Sequence, residues 1–281
     1  MATPSSPDPL SSCFEATREG VDTILQSMNQ ELYHVKASAM REVARAAFST
    51  AREAGGIIEV PEQGDVLHNI LHALHRLPCE RSSGVSLDSL VTAVDHMPRY
   101  GITPRTLILP RTSYYDLLLS HSKVNPLSVY SLAGHHELHD LAVESSRFLL
   151  ELSPTEIPDE AGKRMGVLYL KRILVLHTQA IQSLKRLLMR PPEAHALVEG
   201  CDEATQKALG MDWDVAASGL AWTAGAGASA EGLQSELLKL EATLHCEECK
   251  NALHRRVQDV GEQWANVKVR ARDEAKPQSL F

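Results

Sequence analysis

Two cysteines three residues apart, Cys246 and Cys249, frame the sharpest chemical signal in this chain. A C-x-x-C pair can supply half of a tetrahedral zinc site, and Cys201, His245 and His254 are the residues that could complete it. A structural site draws its four ligands from two close pairs, and no second C-x-x-C accompanies the first. A redox role needs a thioredoxin-like βαβ setting and a lowered thiol pKa, whereas Glu247 and Glu248 would raise it. These residues are therefore read as core or surface thiols, with no metal and no cofactor assigned. A metal-binding or redox module built on Cys201, His245, Cys246 and Cys249 is the alternative.

Thirteen histidines pose the same question elsewhere. His68, His72 and His75 fall on one face of a leucine-rich helical pattern, and His135, His136 and His139 cluster further on. His68 and His72 have the i, i+4 spacing that can grip a cation, but no Glu follows His68 as in H-E-x-x-H. Both sets are read as solvated or half-buried histidine faces. The chain holds no G-x-S-x-G, no G-x-x-x-x-G-K-[ST] and no G-x-G-x-x-G between a strand and a helix, so no catalytic apparatus is expected.

The 281 residues carry 36 acidic and 28 basic side chains, a formal charge of -8, which argues against general nucleic-acid binding. Hydrophobic residues make up 43% and aromatics only 5%, a balance that suits helical cores of Leu, Ala and Val. The first dozen residues have neither an apolar run nor a basic leader, and the most apolar long segment, Met165 to Met189, is broken by five basic or histidine residues. Five scattered cysteines read as reduced thiols, so an intracellular location is expected, in cytoplasm or nucleus.

Period and punctuation give the elements. Val21 to Gln26 and Glu31 to Val35 read as strands around a polar turn, with Leu32 facing inward and Tyr33 free to bind. Residues 37–56 read as one helix with Met40, Val43, Ala47 and Ala51 at helical spacing, closed by Gly55 and Gly56. "IIEVPE" reads as a third strand, stopped by Pro61. Helices follow, with Ser86, Thr103-Pro104 and Asn125-Pro126 as start signals. Met165, Tyr169, Ile173, Leu176, Ala180, Leu184 and Leu187 mark one long helix ended by Pro191 and Pro192. Leu233 to Leu244 and Leu253 to Val267 mark two further apolar stripes. Residues 200–232, rich in Ala and Gly, read as a loop.

The order of these segments resembles the BTB/POZ domain in the divergent form of basidiomycete fungi. The resemblance rests on "VDTILQS", "ELYHVKASAM", "AAFST", "IIEVPE", "VLHNILHALHRLP", "LVTAVDHMPRYGI", "NPLSVYSLAGHHELHDLAVESSRFLL", "YLKRILVLHTQAI" and the "CEEC" before a Trp-containing helix. It covers about residues 18 to 270. The fold it implies is α+β, a BTB/POZ-like small sheet capped by helices and followed by a mostly helical extension. The implied limits are a disordered 1–17, a BTB/POZ-like domain over 18–120, a helical extension over 121–199, the loop at 200–232, a helical segment over 233–270 and a disordered tail over 271–281.

The resemblance implies protein partners: a homodimer, a cullin scaffold of a ubiquitin ligase, or a transcriptional complex. Direct nucleic-acid or membrane binding is not implied. A small sheet also leaves edges whose unpaired N–H and C=O groups invite another strand. Tyr33, Met40, Val43 and Phe48 are the candidate partner-binding residues, and Asp22 and Lys36 the candidates for positioning the hairpin.

Overall fold

The computed structural model describes residue 14 and residues 22–40, 42–49, 52–54, 57–76 and 84–274. The sequence expectations for 1–17, Phe14 apart, and for 275–281 lie outside that range, as do the side chain of Val43 and the glycines at 55 and 56. The architecture is α+β, mostly helical with one small mixed sheet. The chain divides into two compact units, Met1–Asn125 with Leu132–Leu141, and Pro126–Ser131 with Ala142–Phe281.

In the first unit, β1 (Thr23–Gln26) and β2 (Leu32–Val35) form an antiparallel hairpin, followed by α1 (Glu42–Ser49), β3 (Arg52–Ala54), β4 (Ile57–Glu59) and α2 (Gly64–His75). The sheet order is β2-β1-β4-β3, with β4 parallel to β1 and β3 antiparallel to β4. Four strands stand where three were expected. The extra one, β3, occupies what reads as the end of a helix, because α1 stops at Ser49 and the chain turns back along β4.

The hairpin corrects the facing of Leu32 and Tyr33. Tyr33 pairs with Leu25, and residues directly opposite in an antiparallel ladder share a face. Leu25 is fully buried, so Tyr33 goes in with it, while Leu32 is 43% exposed. The Tyr33 hydroxyl donates to the Gly64 carbonyl at 2.7 Å and also meets the Glu31 carboxylate at 2.7 Å. A Cβ at Gly64 would meet that carboxylate, so a larger residue at the entrance of α2 requires the Glu31 side chain to move away from Tyr33. In the turn, Gln30 takes the left-handed conformation (φ 67) that glycine usually fills.

Glu62 links the hairpin to the helices behind it. Its carbonyl accepts from Met28 N–H at 2.8 Å. Its buried carboxylate accepts from the Tyr100 hydroxyl at 2.9 Å and from His96 Nδ1–H at 2.7 Å. Burial, then the Glu62 contact, pushes the Tyr100 phenol well above its ordinary pKa, so it remains a donor. α2 is buried along its length, and α3 (Leu87–His96), capped by Ser86 Oγ accepting from Asp88 N–H, packs on it. Three further helices, α4 (Pro104–Leu107), α5 (Ser113–His121) and α6 (Pro126–His135), follow before α7 (His139–Ser146).

The second unit is built on α8 (Asp159–Leu188), α9 (Glu203–Thr223), α10 (Ala230–Leu238) and α11 (Glu247–Glu274). Gly166, at φ 80, breaks α8 near its start. The stripe Met165, Tyr169, Ile173, Leu176, Ala180 and Leu184 is buried as its spacing predicts, ending on Leu188 rather than Leu187. Residues 200–232 are not a loop. Asp202 caps α9 by accepting from Thr205 N–H at 2.8 Å, the alanines favour helix, and Leu209, Trp213 and Ala217 recur every four residues to bury one face. Glycine content suggests a loop here, but the four-residue apolar period prevails.

Trp213 and Trp264 are fully buried in the core shared by these helices. Trp213 Nε1–H donates to the Leu188 carbonyl at 2.8 Å, and Trp264 Nε1–H donates to Ala228 O at 2.7 Å. Arg256, from α11, reaches the same end of α8: Nε–H donates to Arg190 O at 2.9 Å and an Nη–H to Leu187 O at 2.6 Å. Leu233 and Leu237 are buried in this core and Leu240 and Leu244 pack against it, so that stripe serves the chain's own interior.

Arg256→Met is expected to lower the stability of the second unit by about 2 kcal/mol, because it leaves two part-buried carbonyls without their donor. Chemical denaturation followed by tryptophan fluorescence checks this. A change within error of wild type would show that Arg256 does not hold the end of α8.

Candidate metal centre

Four potential ligand atoms converge where the segment after α8 meets the start of α11. They are His195 Nε2, Cys201 Sγ, Cys246 Sγ and Cys249 Sγ, all within 4.8 Å of one another. The nitrogen lies 3.2 Å from Cys249 Sγ and 3.5 Å from each of the other two sulfurs, and the sulfurs of Cys201 and Cys249 are 3.6 Å apart. No disulfide links any of these three thiols.

Local structure accounts for each position. Pro191 and Pro192 follow the end of α8 and release the chain into an extended segment. His195 is fixed there because Gln206 donates to its carbonyl at 3.1 Å. Its Nδ1–H donates to Ala196 O at 2.7 Å, so Nε2 carries a lone pair and faces the sulfurs. A tight turn, closed by Cys201 N–H donating to Val198 O at 3.0 Å with Gly200 at φ 81, then presents Cys201. Cys246 sits just ahead of α11 and Cys249 in its first turn, so both point to one side.

The environment is asymmetric. Cys201 and Cys249 are buried and pack with Leu209, while Leu244 lies against them. Burial pushes the Cys249 and Cys201 thiols above their ordinary range. Cys246 goes the other way: the backbone N–H groups of the first turn, Cys249 foremost, hold its thiol below the usual value. The flanking glutamates, expected to raise it, are outweighed by these donors.

Of the residues the sequence singled out, the structure joins Cys201, Cys246 and Cys249 and leaves out His245 and His254. His245 is exposed, and His254 is paired with Glu241 at 2.9 Å. The fourth member is His195, which sequence reasoning missed. It stands six residues before Cys201 in a proline- and glycine-punctuated segment, so the second close pair is His-x5-Cys rather than Cys-x-x-Cys.

The other candidates fall differently. Tyr33, Met40 and Phe48 are core residues, Phe48 stacking on Tyr100 with ring centroids 4.6 Å apart, so none presents a surface to a partner. The Asp22 carboxylate, just before β1, accepts from Ala37 N–H, just after β2, at 2.6 Å, and that bond lowers its pKa. Lys36 is exposed, and it is its backbone that leads into the turn after β2. Asp95, His135 and His136 form a second, partly exposed acid–imidazole group, in which His136 Nε2–H donates to Asp95 at 2.7 Å.

His68 and His72 are buried rather than solvated. Phe14 packs edge-on over His68, His72 and His75 at centroid distances of 5.8, 5.4 and 5.7 Å. Burial, reinforced by His72, brings the His68 pKa down to about 4. Comparison with protein-family models, curated proteins and solved structures returned no match for this chain.

Because His68 is harder to protonate folded than unfolded, the unfolded chain takes up its proton first as pH falls. The stability that neutral His68 contributes is intact above about pH 6.5 and is lost progressively towards pH 4, by roughly 3 kcal/mol in all. Thermal melts across that window are expected to show a shallower pH dependence in His68→Leu than in wild type. Parallel slopes would remove His68 from the cause.

Proposed function

We propose that this chain is a non-catalytic protein–protein interaction module, BTB/POZ-like over its first unit. The succession hairpin, helix ending in Phe48, strand running into Pro61-Glu62 and leucine-rich α2 supports the BTB/POZ reading. The observation that carries the interaction role is the outer face of α9. Met211, Val215 and Trp222 recur there at i, i+4 and i+11, all on one side of the helix, and are 56%, 74% and 89% exposed.

A scattered surface leucine means little, but a tryptophan aligned with two more apolar side chains on one helix face is the composition of a binding patch. A second apolar group, Val167, Leu168, Leu174 and Val175, is exposed on α8. In the first unit, β2 has no strand on its outer side among the described residues, which supports strand addition as a further mode. Among the described residues no helix is long and apolar enough to cross a membrane, so these stripes are read as protein-facing.

The reading predicts self-association through α9. Light scattering coupled to size exclusion should find twice the chain mass at micromolar concentration. Val215→Asp with Trp222→Asp should weaken the dimer by roughly thirtyfold or more, since a buried interface tryptophan contributes on the order of 2 kcal/mol or above. A wild-type chain that stays monomeric and also captures no cullin scaffold in a pull-down would overturn the proposal.

A further inference from the structure

We infer that His195, Cys201, Cys246 and Cys249 bind one Zn²⁺ ion, which staples the segment between α8 and α9 to the start of α11.

The geometry is that of a ligand set awaiting a single ion. Zinc bonds of about 2.3 Å to sulfur and about 2.0 Å to nitrogen, at tetrahedral angles, place sulfurs about 3.8 Å apart and nitrogen about 3.5 Å from sulfur. Here nitrogen lies 3.2 to 3.5 Å from the three sulfurs, the sulfurs of Cys201 and Cys249 are 3.6 Å apart, and every pair of ligand atoms is within 4.8 Å. Ordinary packing gives no reason for three sulfurs and one imidazole nitrogen to share one point. Hydrogen bonding does not supply one either: Nε2 has a single lone pair and can accept from only one thiol.

The second layer fits as well. A zinc-bound imidazole usually donates its other N–H to a carbonyl or carboxylate, which fixes ring orientation and tautomer. His195 Nδ1–H does so toward Ala196 O at 2.7 Å. Three thiolates and a neutral imidazole around Zn²⁺ leave one net negative charge, which the N-terminal end of α11 favours. The balanced step is three S–H bonds exchanged for three S–Zn bonds, with three protons released to solvent and no change of oxidation state.

The donor set selects the ion. Thiolates with imidazole favour zinc over calcium or magnesium, which take oxygen ligands. Four donors within 4.8 Å of one another surround one ion, with no room for a cluster of bridged irons. All four positions are filled by protein, so no site remains for water or substrate, and the role is structural. The ion joins parts of the chain 45 residues or more apart in sequence: the His195–Cys201 segment and the Cys246–Cys249 turn.

Metal analysis of the full chain should find one zinc per molecule. Cobalt(II) in its place should give the visible absorption of a tetrahedral site and an intense sulfur-to-cobalt charge-transfer band. His195→Ala, Cys201→Ser and Cys246→Ser should each retain less than a tenth of the metal, while His245→Ala and His254→Ala retain all of it. Thiol alkylation of the loaded wild-type chain should spare Cys201, Cys246 and Cys249 until a chelator is added; this readout does not depend on the variants folding. A folded wild-type chain without metal, a chain holding iron, or zinc retained by the His195 and Cys246 variants would overturn the inference. None of these outcomes depends on self-association through α9.

Discussion

A helix leaves its last carbonyls without partners inside the helix, and the second unit depends on how those at the end of α8 are satisfied. Leu187, Leu188 and Arg190 offer their oxygens, and α9 and α11 answer with Trp213 and Arg256. The Trp213 bond is buried and the two Arg256 bonds are part-buried, and an unpaired carbonyl in such a place is costly, so a misplaced helix would be penalised. The indole and the guanidinium therefore act as locators: α9 and α11 can sit only where these donors reach. The positive charge of Arg256 at a helix C-terminus adds a favourable interaction with the backbone dipoles.

That constraint brings the metal ligands together. Once α8 ends and α11 is fixed by Arg256, the segment through Pro191 and Pro192 has a short path to α9, and it passes the first turn of α11. The proposed zinc ion would tie this crossing at a second point, about two helical turns along α11 from Arg256. The apolar side chains around Cys201 and Cys249 shield the sulfurs on one side, so ion and core reinforce each other. The outer face of α9 keeps Met211, Val215 and Trp222 exposed while its inner face is buried through Leu209, Trp213 and Ala217.

The first unit uses the same logic with different residues. Glu62 is a buried carboxylate with two donors, and its backbone holds the hairpin turn, so strand and helix positions are set together. Tyr33 does this on the sheet side, through Gly64. The positions that look functional by residue type, Tyr33 and the histidines of α2, are spent on packing.

The periodic apolar positions of α8 and α11, the start signals of α3, α4 and α6 and the hairpin were all legible in the sequence, because each is local: its partners lie within a few residues and the helical or strand period exposes them. Cys246 and Cys249 were legible as a pair for the same reason. His195 was not, since nothing nearby marks one histidine among thirteen, and only the meeting of two segments distant along the chain gives it sulfur neighbours. The inward turn of Tyr33 over Leu32 was likewise decided by cross-strand register, and β3 by the return of the chain along β4. The sequence by itself determined the apolar faces of α8 and α11 and the starts of α3, α4 and α6, but not the end of α1 or the existence of α9. Tertiary structure alone decided which buried polar groups find partners and which four side chains share one point, because those contacts depend on where distant segments come to rest.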